Sequence, residues 1–139
     1  MIYIKIFENQ AGEIRGFLVR GHAGYAPKGE DIICAGVSAL VQAAVLGLRH
    51  FLEKLPQVET GQEENARLQV PRAPGKRRRG GKETEEGVFF KVVLPESLGE
   101  KDREAARIIL ETLEMGLQGI ALGYRKYVDI RRCRAHDEV

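Results

Sequence analysis

Two residue types suited to nucleophilic catalysis, a histidine and a cysteine, lie on either side of a glycine-containing loop near the start of the chain. The segment GHAGYAPKGEDIICAGVSAL covers residues 21–40, with His22 before the loop and Cys34 after it. An imidazole can accept the thiol proton, stabilise the thiolate as imidazolium and later protonate a leaving amine. Gly24 and Gly29 give the intervening loop the freedom to fold back. The pair therefore predicts a thiol-nucleophile site if the fold brings the two side chains together.

The residues around the cysteine suggest how such a thiol would be activated. Asp31 precedes a periodic apolar run and is a residue type that caps helix N-termini, so Cys34 falls in the first helical turn. Helix N-termini carry partial positive charge and favour the thiolate form. Ser38 lies four residues on and shares the helical face of Cys34. We expect backbone N–H groups of this turn, those of Cys34 and Ala35, to stabilise an oxyanion.

Each of these residues also has a purely structural explanation, and the alternatives stay open at this point. A lone cysteine is often a small buried hydrophobe, a lone histidine is often a surface or hydrogen-bonded side chain, and Asp31 can act only as a cap. One histidine and one cysteine do not make a tetrahedral ligand set, so a metal site is not indicated. Nucleophilic catalysis by a Cys–His pair needs neither a metal nor an organic cofactor, and we expect none.

The elements that must position these residues follow from the spacing of apolar residues. A period of two predicts strands, and a period of three and four predicts helices. The strands are expected at residues 2–8, 13–20, 87–95 and 126–130, with a further short strand at 66–70, and the helices at residues 33–55 and 102–122. This order, ββαββαβ, predicts an α+β fold in which two helices pack on an antiparallel or mixed sheet.

The predicted inner faces of the two helices are specific enough to be compared with a structure. In the first helix they are Val37, Leu40, Val41, Ala44, Leu48, Phe51, Leu52 and Leu55, and in the second they are Ala105, Ile108, Ile109, Thr112, Leu113, Gly116, Leu117 and Ile120. Both sets repeat at intervals of three and four, as one face of a helix requires.

Length and composition bound the class of protein. The chain has 139 residues, 43% of them hydrophobic, and a formal net charge of +2, which suits one globular domain and gives no overall polyanion-binding signal. We expect no run of the roughly 20 apolar residues that a membrane span needs. The two cysteines, Cys34 and Cys133, are expected to be reduced in a cytoplasmic protein and not to form a disulfide. His50, Cys133 and His136 are expected on the surface or in the tail.

The middle of the chain differs in composition from the rest. Residues 59–87 are polar, charged and rich in Gly and Pro, and we interpret them as a flexible insert in a single domain that covers residues 1–139. The insert contains GKRRRGGK, in which Arg77, Arg78 and Arg79 could make weak contact with RNA or a ribosome. No aromatic residue interrupts this run, so base stacking is not indicated.

The motifs GHAGYA and GEDIICAGVSAL, together with GLQGIALGYRKYVDI at residues 116–130, closely resemble the bacterial ribosomal-processing cysteine protease (Prp) family. The resemblance implies a cytoplasmic, homodimeric endopeptidase that removes the N-terminal extension of large-subunit ribosomal protein twenty-seven, cutting after a motif that ends in two phenylalanines. It implies Cys34 as nucleophile and His22 as base. Asp31 and Ser38 match further motif positions.

The resemblance also gives the loop between the two catalytic candidates an expected role. Gly24, Tyr25 and Gly29 belong to a segment that would move aside for, or close over, an extended substrate peptide. Two alternatives from other classes remain at this stage. One is a noncatalytic ribosome- or RNA-binding accessory protein, and the other is a redox-sensing thiol protein that uses Cys34.

Overall fold

The computed structural model describes residues 1–21, 31–61 and 89–134. Over these ranges the chain forms five strands and two helices in the predicted order ββαββαβ, and the α+β prediction is confirmed. The strands are β1 (Ile2–Glu8), β2 (Ile14–Gly21), β3 (Gln57–Thr60), β4 (Phe89–Val93) and β5 (Val128–Arg134). The helices are α1 (Ile32–Phe51) and α2 (Glu100–Gly123).

The strands form one mixed sheet in the order β3-β4-β2-β1-β5. The β1–β2, β2–β4 and β3–β4 pairs are antiparallel, whereas β5 lies parallel to β1 with Val128 opposite Ile2. Apolar residues at alternate positions of β1, namely Ile2, Ile4 and Ile6, are buried against the helices. The protein therefore has two layers, with its core between one sheet face and the helix pair.

The third strand is not where the sequence predicted it. No strand was expected at residues 57–60, but they pair with β4, so that Val58 lies opposite Val92 and is half-buried. Four residues with one apolar side chain give too weak a period-two signal to detect. The strand predicted at residues 66–70 lies outside the described residues, as does most of the predicted insert; its first two positions, Glu59 and Thr60, are part of β3.

The first helix ends one turn earlier than its apolar pattern suggested. Phe51 is 65% exposed and Leu55 is 58% exposed, so their predicted places on the inner face were wrong. The chain leaves the helix at Leu52, and the next two backbone amides bind the carboxylate of Asp102 instead of continuing the helix. The buried residues of α1 are Ile33, Val37, Val41, Ala44, Val45 and Leu48.

The inner face of the second helix is rotated from the predicted one. Ile108 and Thr112 are exposed, whereas Ala106 and Leu110 are buried. The two helices lie side by side in opposite directions, with Gly36 next to Ile120, and a Cβ on Gly116 would lie 3.0 Å from Leu40 Cδ1. Small residues at these positions let the two helices approach closely.

The length and composition of α1 also correct an expectation about membranes. This helix is long and apolar enough to cross a bilayer, contrary to the prediction that no such run exists. Six of its residues pack in the core of the domain, so in this fold it is a core helix.

A salt-bridge cluster fastens the last strand to the rest of the fold. The Arg132 guanidinium lies 2.7 Å from Glu8 in β1 and 2.7 Å from Glu114 in α2, and it also donates to the Gly12 carbonyl. Cys133, which was expected on the surface or in the tail, lies within β5 and is half-buried. His50 is exposed as expected, and His136 lies outside the described residues.

The close approach of β2 and β4 at Gly16 yields a stability prediction. A Cβ on Gly16 would collide with the Val92 carbonyl oxygen and lie 3.1 Å from Val93 Cα. Gly16→Ala should destabilise the fold by about 1 to 3 kcal/mol, because backbone atoms cannot yield as a side chain can. Gly119→Ala is the matched control: no described atom lies within 4 Å, and removing a helical glycine should stabilise by about 0.5 to 1 kcal/mol. Urea unfolding of both variants checks the opposite signs, and equal effects would contradict the prediction.

Candidate active site

The cap at the start of α1 has the predicted geometry. Asp31 has an extended backbone conformation, and its Oδ1 accepts hydrogen bonds from the backbone amides of Ile33 and Cys34, each at 3.0 Å. Asp31 is therefore the helix N-cap and fixes the turn that carries the thiol. Cys34 is half-buried in that turn and packs against the core.

The cap changes the expectation for the oxyanion. The Cys34 amide donates to the Asp31 carboxylate, and the Ala35 amide donates to the Asp31 carbonyl at 3.1 Å. Both groups predicted to bind an oxyanion are thus engaged by Asp31 in this structure. A carboxylate next to these amides would also repel an oxyanion, so the geometry does not support that role for Cys34 and Ala35 backbone groups.

Helical geometry places the cysteine on the flank of α1 that faces away from α2. Gly36 contacts Ile120 on α2, and Cys34 is two positions earlier, about 200° around the helix from Gly36. Ser38 has the exposed position expected one turn beyond Cys34, and its hydroxyl accepts a hydrogen bond from the Gln42 amide at 3.0 Å. Among the contacts of the described residues, none joins Ser38 to Cys34.

The topology places the start of α1 at the same end of the sheet as the end of β2. Ile120, near the C-terminus of α2, lies beside Gly36, near the N-terminus of α1. A short turn then leads from α2 into β5, whose first residue pairs with Ile2, and Ile2 pairs in turn with Gly21. Gly21 immediately precedes His22. The fold thus places the end of β2 and the start of α1 at the same end of the sheet.

The remaining site candidates lie outside the described residues. These are His22, Gly24, Tyr25 and Gly29, together with Arg77, Arg78 and Arg79 of the basic run. Neither Cys34 nor Cys133 forms a disulfide. Within residues 1–21, 31–61 and 89–134, no group of three or more His, Cys, Asp or Glu side chains is arranged to hold a metal ion.

The Asp31 cap gives a second stability prediction. Asp31→Ala should cost about 1 kcal/mol, because two amides of the first turn lose their acceptor. Asp31→Asn should retain most of the stability, since its side-chain oxygen can accept the same bonds. Thermal unfolding of the two variants beside wild type measures the difference, and an alanine variant as stable as wild type would contradict the role of the cap.

An α+β fold that presents a cysteine in the first turn of a helix is of the kind used by thiol-dependent enzymes. Residues 1–129 match the family described as Cysteine protease Prp. The chain therefore belongs to the Cysteine protease Prp family, and the protein is a cysteine protease.

Individual relatives agree with this assignment. The chain is 27% identical over 125 residues to the ribosomal processing cysteine protease Prp of Bacillus subtilis (strain 168), covering 90% of this chain and 91% of that protein. Its fold is similar to the crystal structure of an essential ribosomal processing protease Prp from S. aureus in complex with a covalently linked product peptide, with a TM-score of 0.67 and 22% identity. That likeness covers 96% of this chain and 100% of the other.

A second S. aureus structure, of the same protease in complex with a substrate peptide, gives a TM-score of 0.62 at 20% identity over 96% of this chain and 100% of that one. At these identities the structural likeness establishes the fold. Because the family consists of cysteine proteases, we assign the chain as a peptidase in preference to the noncatalytic and redox-sensor alternatives.

Proposed function

We propose that this protease removes the N-terminal extension of large-subunit ribosomal protein twenty-seven, cutting after a motif that ends in two phenylalanines. The observation that carries the proposal is the position of Cys34, in the first turn of α1 at the sheet end where β2 leads into His22. The relatives named ribosomal processing proteases support the same kind of substrate for this chain.

The proposed mechanism uses two side chains. His22 accepts the proton of the Cys34 thiol, and the thiolate attacks the carbonyl carbon of the scissile peptide bond. The tetrahedral intermediate collapses as the imidazolium donates its proton to the leaving amine, which leaves a thioester on Cys34. Water, deprotonated by the same imidazole, then hydrolyses the thioester and restores the thiol. Asp31 holds the backbone that carries Cys34, and the loop with Gly24, Tyr25 and Gly29 closes over the peptide.

The experiment that tests the substrate uses a synthetic peptide matching the extended N-terminus of the ribosomal protein. Under reducing conditions, mass spectrometry should show one cut, after the second phenylalanine, and none in a peptide whose two phenylalanines are replaced by alanine. Hydrolysis of the alanine peptide at the same rate would show that the paired phenylalanines are not recognised. An intact extended peptide, incubated with enzyme that cleaves casein, would refute the substrate while leaving the peptidase assignment in place.

We also propose that the protein acts as a homodimer in the cytoplasm, where reducing conditions keep a nucleophilic thiol active. The outer side of α1 supports self-association: no charged residue occurs from Ile32 to Leu48, and Leu46 is 67% exposed on the side opposite the core. Leu46→Glu should give a monomer in sedimentation velocity, whereas Leu55→Glu, the same change at an exposed site beyond α1, should leave a dimer. A wild-type monomer, or a dimer unaffected by Leu46→Glu, would contradict this surface.

A further inference from the structure

The sheet has a second face, opposite the two helices, whose residues lie outside the hydrophobic core cluster between the sheet and the helices. In β1 the alternating side chains Ile2, Ile4 and Ile6 turn towards the helices, so Tyr3 and Lys5 lie on the other side. We call this second side the open face and define it by Tyr3, Lys5, Leu18, Arg20, Lys91 and Arg131. Tyr3 is 45% exposed, and Arg20 and Arg131 are exposed with it.

Strand register places three cations of the open face in one row. Arg131 lies opposite Lys5, Lys5 lies opposite Leu18, and Leu18 lies opposite Lys91. Neighbouring strands are about 4.8 Å apart, so the row spans roughly 14 Å across four strands. These residues are far apart in sequence, and only the sheet brings their charges together.

Carboxylates on the same face only partly neutralise it. Asp129 lies 3.0 Å from Arg131, and Glu59 lies opposite Lys91 in the edge strand. In the strand register, Lys5 lies opposite Leu18 and Arg131. Arg20 lies opposite Tyr3 and residue 89. Neither cation therefore has a carboxylate opposite it. Within the described strands the open face therefore keeps a net positive charge, which complements a polyanion.

An aromatic side chain stands next to these cations. The Arg20 guanidinium lies 5.9 Å from the centre of the Tyr3 ring, and the pair is at the solvent surface of β1 and β2. Lys91 Nζ likewise lies 5.9 Å from the centre of the Phe7 ring, which is on the same side of the sheet as Tyr3 and Lys5 and is only 3% exposed. Aromatic rings and arginine planes on a sheet surface are the groups on which unpaired bases stack, while lysines contact the phosphates.

We propose that the open face binds single-stranded RNA, with Lys5, Arg20 and Lys91 contacting phosphates and Tyr3 stacking on a base. None of the residues that define the open face belongs to the basic run Arg77–Arg79. The proposal does not rest on the identity of the peptide substrate, because the open face is on the opposite side of the sheet from α1, which carries Cys34.

The test is fluorescence anisotropy of a labelled oligouridylate titrated with the full chain at several salt concentrations. Each phosphate contact on a single strand contributes about −0.7 to the slope of log K against log salt, so three contacts predict a slope of about −2. The Lys5→Gln/Arg20→Gln double variant should lower the magnitude of the slope by about 1.4 and weaken binding at low salt by at least about tenfold.

Two further variants separate base recognition from charge. Tyr3→Leu should weaken binding by about fivefold or more and leave the salt slope unchanged, because it removes stacking but no cation. Arg49→Gln/Lys101→Gln removes two exposed cations from the helices and is the matched control, expected to bind like wild type. Peptide cleavage by every variant serves as the measure of correct folding.

Several results would overturn the proposal. One is that the wild type does not bind the oligouridylate at low salt. Another is that Lys5→Gln/Arg20→Gln and Arg49→Gln/Lys101→Gln lose the same amount of affinity. A third is that replacing Arg77–Arg79 abolishes binding while Lys5→Gln/Arg20→Gln binds normally. Equal binding of inorganic polyphosphate and RNA, together with no effect of Tyr3→Leu, would show a polyanion site without base contacts and would overturn the assignment to RNA.

Discussion

Replacing Cys34 with alanine is expected to reduce kcat/KM for the extended ribosomal peptide by at least about 1,000-fold, because no other group in the proposed mechanism can form the acyl-enzyme. The side chain is small and half-buried in the first turn of a capped helix, so the variant should fold normally. The measurement is kcat/KM by quantitative mass spectrometry under reducing conditions.

The second cysteine supplies the control for this prediction. Cys133 lies in β5, where it pairs with Phe7 in the strand register, on the opposite face of the sheet from the helices. Cys133→Ala should therefore keep kcat/KM within about twofold of wild type, since it touches none of the groups that the mechanism uses. Substantial cleavage by Cys34→Ala, or loss of cleavage by Cys133→Ala alone, would show that the nucleophile has been assigned to the wrong residue.

The histidine variant tests the other half of the proposed pair. If His22 is the base, His22→Ala should also cost about 100-fold or more, and the double variant with Cys34→Ala should be no worse than Cys34→Ala by itself. Multiplying losses in the double variant would mean that the two residues do not act in one step.

Replacing Asp102 with alanine is expected to have the largest effect on stability, a loss of about 2 to 4 kcal/mol. Asp102 is only 6% exposed, in the first turn of α2. Its two oxygens accept hydrogen bonds from the Glu53 amide at 3.0 and 2.9 Å and from the Lys54 amide at 3.0 Å. One carboxylate thus connects the segment after α1 to the start of α2. In the alanine variant, the Glu53 and Lys54 amides would lose their hydrogen-bond acceptor.

Urea unfolding of Asp102→Ala, Asp102→Asn and Asp129→Ala measures this effect. Asparagine keeps one acceptor oxygen and should lie between wild type and alanine. Asp129 is a carboxylate in a surface ion pair with Arg131, whose side chain is 70% exposed, and its loss should cost less than about 1 kcal/mol. Similar losses in Asp102→Ala and Asp129→Ala would contradict the proposed role of the buried carboxylate.

The cap and the thiol were predictable because their signals are local. An aspartate before an apolar run is recognised from its neighbours, and the cysteine three residues later must fall in the same turn. The convergence of this turn with the end of β2 was a hypothesis from loop composition, and the topology supports it through the contact of α1 with α2 and the pairing of β1 with β5 and β2. The oxyanion prediction was not supported because the same cap that positions Cys34 also engages the neighbouring amides.

Non-local contacts account for what the sequence pattern did not show. Asp102 looked like an ordinary acidic residue at a helix start, and only its contact with Glu53 and Lys54, about 50 positions earlier, makes it a structural link. The same contact takes up the two backbone amides that follow α1, which ends at Phe51, so Leu55 lies beyond the helix and not on its inner face.

The sequence alone determined the order of the elements, the α+β class, the helix cap and the candidate thiol. Each of these depends on the period of apolar residues, on helix capping or on residue chemistry, which involve only a few neighbouring positions. The tertiary structure decided the strand order, the parallel pairing of β5, the rotation of α2 and the grouping of cations on the open face. Those features depend on contacts between distant segments, and the free energy of such contacts has no signature in any one of the segments.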